Sequence, residues 1–256
     1  MATSVKPPRS SFVLGLIGAV FLALFAGLIA LGAWQVQRLG WKRDLIQRVD
    51  SRVHAPPAAA PGPSEWPEVS AARDEYRHVR LRGRWLPGVD TRVQAVTELG
   101  PGFWLLTPLR TDAGYTVLVN RGYVPDASAA AAVVAPAGAT EVVGLLRLSE
   151  PGGGFLRTNQ PAQQRWFSRD VAAIAAAHRL DGAVAPYFVD AERAAPLPGD
   201  LRTAPQWPVG GLTVIKFPDH HLQYALTWFA LALMVAWAAW RVWKEEARRR
   251  AAHKTP

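Results

Sequence analysis

The 256-residue chain contains no cysteine and only two methionines, Met1 and Met234. The missing cysteine excludes a disulfide framework, a zinc ribbon, a CxxC redox site and a thiolate-ligated iron–sulfur cluster. The shortage of methionine excludes a thioether relay for copper. Metal or cofactor chemistry must therefore come from the six histidines, the carboxylates, the hydroxyls and the backbone.

Charge is also scarce, and it is absent from two long stretches of the chain. Only 19% of the residues are charged and 50% are hydrophobic, which excludes intrinsic disorder. Residues 12–36 and 222–240 carry no charge, and each run matches the ~20 residues that cross a bilayer core. The first run is too long for the apolar core of a signal peptide, and no A-x-A cleavage site precedes a soluble mature start. Tryptophans border one end of each run, as they do at membrane interfaces: Trp34, Trp41, Trp237, Trp240 and Trp243. We therefore predict two transmembrane helices.

The distribution of positive charge predicts the orientation of these helices. Most of the net charge of +9 lies in the short tails, residues 1–11 and 241–256. This is typical of anchoring on anionic lipid at the cytoplasmic face, and not of nucleic-acid binding. The basic residues of 38–48 favour the opposite orientation, but long loops are translocated largely regardless of charge. We expect both tails in the cytoplasm. Because the first run leaves no space for a mitochondrial presequence, we expect a bacterial cell inner membrane.

The intervening residues 37–221 predict a β-rich extracytoplasmic domain. A helical extension at 41–53 and a Pro/Ala/Gly linker at 54–67 come first, and one further helix at 168–180 has Ser168 as its predicted N-cap. Alternating apolar residues between Gly, Pro and Asp turns predict strands at 76–85, 92–97, 103–110, 115–123, 141–148, 185–189 and 212–217. Short strands at this spacing favour an antiparallel sheet or a small barrel. The predicted fold class is an α+β membrane protein, with a two-helix transmembrane hairpin enclosing this domain.

Known catalytic motifs are missing from the chain. There is no Walker A loop, no H-E-x-x-H, no G-x-S-x-G and no G-x-G-x-x-G after a strand. His54, His78 and His178 are interpreted as surface or structural histidines. We therefore predict that the protein is not an enzyme.

Three arginines, Arg80, Arg82 and Arg84, alternate with apolar residues in the first predicted strand. Side chains at period two share one face of a strand. A solvated sheet face is the favoured interpretation, and an anion-binding face is the alternative.

Two adjacent histidines, His220 and His221, stand at the entry to the second apolar run. A histidine at a membrane boundary is costly unless it is paired or coordinating. Helical spacing places His221, Tyr224, Ala225, Trp228 and Ala232 on one face. That face would suit a flat macrocycle, or else a simple interfacial anchor of histidine and aromatic residues, and the spacing alone does not separate these interpretations.

In a hairpin, the C-terminal end of the first helix meets the start of the second. Trp34, Gln35 and Arg38 would then lie at the same membrane face as His221. A stripe of small residues every four positions is expected to face the second helix: Gly15, Ala19, Ala23 and Gly27.

An ordered set of sequence blocks resembles the surfeit locus protein 1 family. Residues 32–42, GAWQVQRLGWK, are similar to its W-Q-x-x-R-x-x-W-K signature. Further blocks follow in the family's order: TPL at 107–109, VLVNRGYVP at 117–125, WFSRD at 166–170, PYFV at 186–189 and HLQYALTWF at 221–229. Together these blocks extend over nearly the whole chain.

The resemblance implies an assembly factor for a haem–copper terminal oxidase, cytochrome c oxidase. Such a protein binds haem a as cargo and aids its insertion into oxidase subunit I, with haem a synthase, subunit I and the lipid bilayer as partners. The histidine of the last block matches His221, which is then the expected ligand of the haem iron.

Neighbouring residues complete the site that the resemblance implies. Tyr224 and Trp228 would form the wall, and Arg38 would offset propionate charge. The family usually has Asn or Glu where this chain has Asp219 and His220, so His220 remains an alternative or second ligand. The alternative function is a haem-independent membrane scaffold for oxidase subunits.

Overall fold

A computed structural model describes residues 9–154, 156–193, 207–213 and 220–254. Its helices are α1 (Ser11–Val53), α2 (Ala71–Asp74), α3 (Ala127–Ala132), α4 (Val171–Ala177) and α5 (His221–Lys254). Its strands are β1 (Ala58–Ala59), β2 (His78–Trp85), β3 (Thr91–Thr97), β4 (Gly100–Thr111), β5 (Thr116–Val124), β6 (Ala139–Leu148) and β7 (Val184–Ala191). The chain divides into a helical unit, Met1–Gln47 with Lys216–Pro256, and a β-rich unit, Arg48–Ile215.

The helical unit is an antiparallel hairpin of α1 and α5. Both helices are long and apolar enough to cross a membrane. Their facing residues recur at alternating intervals of three and four, which forms an inter-helix seam typical of left-handed packing. On α1 the seam residues are Leu14, Gly18, Phe21, Phe25, Leu28, Gly32, Gln35 and Leu39. On α5 they are His221, Ala225, Trp228, Ala232, Val235, Ala239, Val242 and Glu246.

The small-residue stripe predicted for α1 does not form this seam. Gly15, Ala19, Ala23 and Gly27 are exposed, and a Cβ added at Gly15 or Gly27 would meet nothing within 4 Å. A four-residue repeat turns about 40° further around a helix at each step, so it leaves any fixed contact face. Close approach occurs instead at Gly32, where an added Cβ would lie 2.5 Å from the Phe229 ring. The predicted interface was therefore wrong.

The β-rich unit is a closed five-stranded barrel in which β2, β6, β7, β5 and β4 are neighbours in that order. Closure comes from β2, which pairs with both β6 and β4. A Cβ at Gly83 would overlap the carbonyl oxygen of Arg110, so glycine is needed where these strands meet. The pairings within the barrel are antiparallel apart from β5 with β7, which is parallel. The predicted combination of two long apolar helices with a β-rich domain is confirmed, and of the two alternatives for that domain the small barrel is the correct one.

Alternation along β2 explains how its residues divide between core and solvent. Val79 and Leu81 are buried in the barrel interior, whereas the three arginines of this strand are exposed. Two of them pair with Glu141 on β6, at 3.3 Å from Arg80 Nε and 2.7 Å from Arg82 Nε. The solvated-face interpretation of this strand is confirmed.

A buried ionic cluster holds several connections of the barrel together. Asp190, on β7, is only 4% exposed. Its carboxylate accepts hydrogen bonds from Asn120 (2.8 Å), Arg147 (3.1 Å), Arg169 (3.2 Å) and Thr213 (2.9 Å). A buried carboxylate requires such compensation, because burial removes its hydration.

Some local predictions were incorrect. The N-cap of α4 is Asp170, whose carboxylate accepts from the backbone N–H of Ala173, whereas Ser168 accepts from Gly153 N–H at 3.1 Å. The segment predicted as a linker contains β1, which pairs in parallel with β2. Of the strand predicted at 212–217, residues 212–213 are irregular and the rest lies outside the described residues.

Candidate functional site

His221 and Gln35 form a hydrogen-bonded pair across the hairpin. His221 is the first residue of α5, and its Nδ1 lies 2.7 Å from Oε1 of Gln35 on α1. Gln35 is only 9% exposed. In the Nδ1–H tautomer the ring donates to Oε1 and carries its lone pair on Nε2. The pairing with Gln35 therefore orients the ring.

An aromatic and small-residue surface continues from this pair along the seam. Ala225 and Ala232 are buried, and Trp228 between them is half-buried. The Trp228 indole nitrogen is buried without a hydrogen-bond partner among the described residues. Tyr224 is 54% exposed and lies outside the face packed on α1. Tyr224, one turn before Trp228 on α5, is therefore the exposed edge of this surface.

The other predicted site residues lie at the edge of this pair. His220 is exposed, and its carbonyl accepts from the backbone N–H of Tyr224 at 3.1 Å, in the first turn of α5. Arg38 is exposed one turn beyond Gln35, with its guanidinium 4.9 Å from the ring centroid of Trp41. The structure brings His221 and Gln35 together, and Trp228 follows His221 two turns later on α5. The direct partnership of Gln35 with His221 was not predicted, although the sequence placed both at one membrane face.

A second polar contact closes the opposite end of the hairpin. Glu246 on α5 is buried, and its Oε1 accepts from the backbone N–H of Arg9 at 2.8 Å, just before α1 begins. A carboxylate at a helix N-terminus compensates the unpaired N–H groups and the positive end of the helix dipole. Arg9 and Gln35 are 26 residues apart, which corresponds to roughly 39 Å of helix. Between them the described seam residues are apolar.

The histidines of the β-rich unit have local partners. His54 Nδ1 lies 2.9 Å from the carbonyl of Asp50, and His78 Nδ1 lies 2.6 Å from that of Ala55. His178 Nε2 is 2.7 Å from the hydroxyl of Thr91. Within the described ranges no group of three or more His, Cys, Asp or Glu side chains is placed to hold a metal ion.

Comparison with known proteins identifies the family. The sequence profile of the SURF1 family matches residues 22–233, a region that contains both Gln35 and His221. The chain belongs to the SURF1 family. It is 32% identical over 252 residues to Surfeit locus protein 1 of Homo sapiens, covering 90% of this chain and 77% of the human protein. It is 34% identical over 235 residues to the Mus musculus protein, covering 82% and 71% of the two chains. It is 29% identical over 274 residues to the SURF1-like protein of Monosiga brevicollis, covering 100% and 98%. Members of the SURF1 family are cytochrome c oxidase assembly factors.

Proposed function

We propose that this chain is an assembly factor for cytochrome c oxidase that binds haem a as cargo and aids its insertion into subunit I. Family membership supports the role in oxidase assembly. The observation that carries the haem proposal is the hydrogen bond between His221 and Gln35, at 2.7 Å. It orients an imidazole that, in the Nδ1–H tautomer, can coordinate a metal through Nε2.

The polarity of the residues around His221 supports the haem proposal. Neutral imidazole is a common axial ligand of haem iron. Exposed Leu222 and Leu226 offer apolar surface near His221, and the Trp228 indole N–H provides a donor close to the seam. Exposed Arg38 supplies positive charge to offset a propionate. Tyr224 and His220 flank the same end of α5, and His220 is the second candidate ligand.

Absorption spectra of the full chain test this proposal directly. We expect protein purified in detergent from cells that make haem a to carry the haem, and His221→Ala to lose most of it while remaining in the membrane. His220→Ala should have the smaller effect, and His54→Ala, an exposed histidine of the β-rich unit, serves as the matched control. Unchanged haem bands in His221→Ala would place the ligand elsewhere. Loss of haem only in the double variant His220→Ala/His221→Ala would make the two histidines interchangeable.

A haem-independent scaffold is the second candidate function. The observation that favours it is the same hydrogen bond, since a pair of His221 and Gln35 also serves as a helix–helix clamp without any ligand. Under this alternative, His221→Ala would impair oxidase assembly with no haem bound to the wild-type protein. Under the haem proposal, assembly and bound haem are lost together.

We also propose a bacterial inner-membrane location with both tails in the cytoplasm, where haem a synthase and subunit I are reached within the same bilayer. The separation of the two polar contacts, roughly 39 Å, approaches the ~40–45 Å thickness of a bilayer with its headgroups. The basic C-terminal part of α5 supports a cytoplasmic tail. A reporter active only in the cytoplasm should work when fused after Pro256 and be silent when inserted at exposed Gly138. The reverse pattern would overturn this orientation.

A further inference from the structure

Strand β3 has an outer edge whose C-terminal half has no backbone partner among the described residues. Along one side β3 pairs with β4 from Thr91 to Thr97. On the other side the backbone N–H of Gln94 donates to the carbonyl of Trp166 at 2.9 Å. In an antiparallel pair, alternate residues direct their N–H and C=O groups away from the partner strand. Val96 therefore directs its backbone groups to the same outer edge as Gln94, and no backbone partner for them is found there among the described residues.

The exposed residue at this edge is apolar. The Val96 side chain is 85% exposed. Exposed strand edges are normally protected by charge, proline or a covering element, because they pair readily with other chains. The register partner of Val96 on β4 is Pro101. Val96 exchanges no backbone hydrogen bond with it, so the missing N–H of the proline does not affect this pairing.

A groove of about 710 Å³ lies beside this edge. Its lining includes Val96 and Ala95 from β3, Phe103 from β4, and Phe167 and Arg157 from the segment between β6 and α4. An extended peptide added at a sheet edge places alternate side chains in such pockets. The groove therefore offers apolar contacts next to free backbone groups.

The charge beside the groove is positive and lacks acidic partners. Arg157 and Arg165 both lie against the Phe167 ring, with their guanidinium carbons 5.5 Å and 5.8 Å from its centroid. Arg157 Nη1 donates to the side-chain oxygen of Gln94 at 3.0 Å. Neither arginine forms an ion pair with a carboxylate in the described part of the chain. A guanidinium held on an aromatic ring is oriented for recognition of a carboxylate.

We propose that the β3 edge binds an extended, acidic peptide segment of a partner protein. The segment pairs its backbone with Val96, places apolar side chains against Phe103 and Phe167, and directs carboxylates to Arg157 and Arg165. An open main-chain edge selects a peptide, because its donors and acceptors match those of an extended backbone. The inference goes beyond haem binding and uses no residue of the His221 site.

Fluorescence polarisation on the full chain in uncharged detergent tests this proposal. The probes are labelled octapeptides that alternate valine with glutamate, in both alternation phases. Matched peptides replace glutamate by lysine or carry N-methyl groups at alternate backbone positions. We expect saturable binding of an acidic peptide below about 1 mM, which corresponds to a free energy near −4 kcal/mol. We expect at least tenfold weaker binding of the lysine and N-methylated peptides.

Two variants locate the binding at the β3 edge. Val96→Pro removes an N–H that β4 does not use, and proline is tolerated at such edge positions. Val96→Pro should weaken the binding of the acidic peptide at least tenfold, whereas Val96→Thr should leave this binding unchanged. The double variant Arg157→Gln/Arg165→Gln should weaken the binding of the acidic peptide by a similar factor.

Several outcomes would overturn the proposal. The first is that neither acidic peptide binds the wild-type chain up to 1 mM. The second is that the Val96→Pro variant folds and binds the acidic peptide as tightly as the wild type. If Val96→Pro fails to fold, the proposal is overturned instead when the N-methylated peptide binds the wild-type chain as tightly as the unmethylated acidic peptide. Self-association that Val96→Pro abolishes and Val96→Thr does not, with no peptide binding, would assign the edge to a second copy of this chain.

Discussion

The Nδ1 atom of His221 lies 2.7 Å from Oε1 of Gln35, although 186 residues separate them in the sequence. The hydrogen bond joins the start of α5 to the interior of α1, where Gln35 has little contact with solvent. A buried amide needs such a partner, since an unsatisfied polar group costs about 1–3 kcal/mol. One contact therefore stabilises the hairpin and orients the imidazole proposed to bind haem.

Replacing Gln35 should change haem binding without removing the ligand. Gln35→Leu removes the acceptor for Nδ1–H, and loss of such outer partners typically costs about 10–100-fold in metal affinity. Gln35→Glu keeps an acceptor and should retain haem a, with a lower reduction potential because the imidazole becomes more basic. Haem titration and potentiometry of both variants measure this. Equal haem affinity in Gln35→Leu and wild type would show that the hydrogen bond has only a structural role.

Bulk at Gly32 should separate the helices, whereas bulk at Gly27 should not. A Cβ at Gly32 would lie 2.5 Å from Phe229, but one at Gly27 would meet nothing within 4 Å. Because the chain has no cysteine, the pair Gln35→Cys/His221→Cys reports hairpin closure by a single cross-link with a short bismaleimide. We expect Gly32→Leu to reduce its formation strongly and Gly27→Leu to leave it unchanged. If Gly27→Leu reduces hairpin closure and Gly32→Leu does not, the small-residue stripe is the interface after all.

Two partly buried arginines should respond differently to substitution by methionine. Arg147 donates to Glu75 at 2.8 Å and to Asp190 at 3.1 Å, so Arg147→Met removes one cation from both carboxylates. We expect it to lower the free energy of unfolding by about 3–5 kcal/mol. Burial lowers the pKa of Arg121, whose Nη1 has no hydrogen-bond partner among the described residues. Arg121→Met should therefore change stability by no more than about 1 kcal/mol.

Urea unfolding monitored by tryptophan fluorescence compares these variants in the full chain. Arg84→Met, at an exposed position on β2, is the surface control. If Arg121→Met lowers the free energy of unfolding as much as Arg147→Met does, the predicted difference between the two arginines is wrong.

Acidification should destabilise the β-rich unit through His178. Burial lowers the pKa of His178 from its ordinary value of 6.5, and the charge of Asp90 only partly opposes this. The unfolded chain therefore binds a proton near pH 6.5 before the folded chain does, so stability falls as pH decreases from that value towards the lowered folded pKa. His178→Gln should flatten this part of the stability profile, as measured by urea unfolding between pH 7.5 and 5. An unchanged slope would exclude His178 as the source, and exposed His54→Gln is the control.

Much of the architecture follows from local sequence patterns. The uncharged runs at 12–36 and 222–240 predict the two long helices. The length and composition of such a run are enough to indicate a membrane-length helix, whatever it packs against. Alternation in residues such as Val79, Arg80 and Leu81 predicts β2 and its solvated face, since adjacent side chains of a strand point to opposite sides. The ordered sequence blocks likewise predicted the family.

Tertiary structure decided the features that depend on distant residues. Gly83 beside Arg110 closes the barrel, and the four donors of Asp190 come from separate segments, so no local period reveals either. The inter-helix seam passes through Gly32 and Gln35 because α5 selects one face of a helix that is apolar on every side. Local periodicity determines which faces are apolar, and packing between distant segments determines which of them meet.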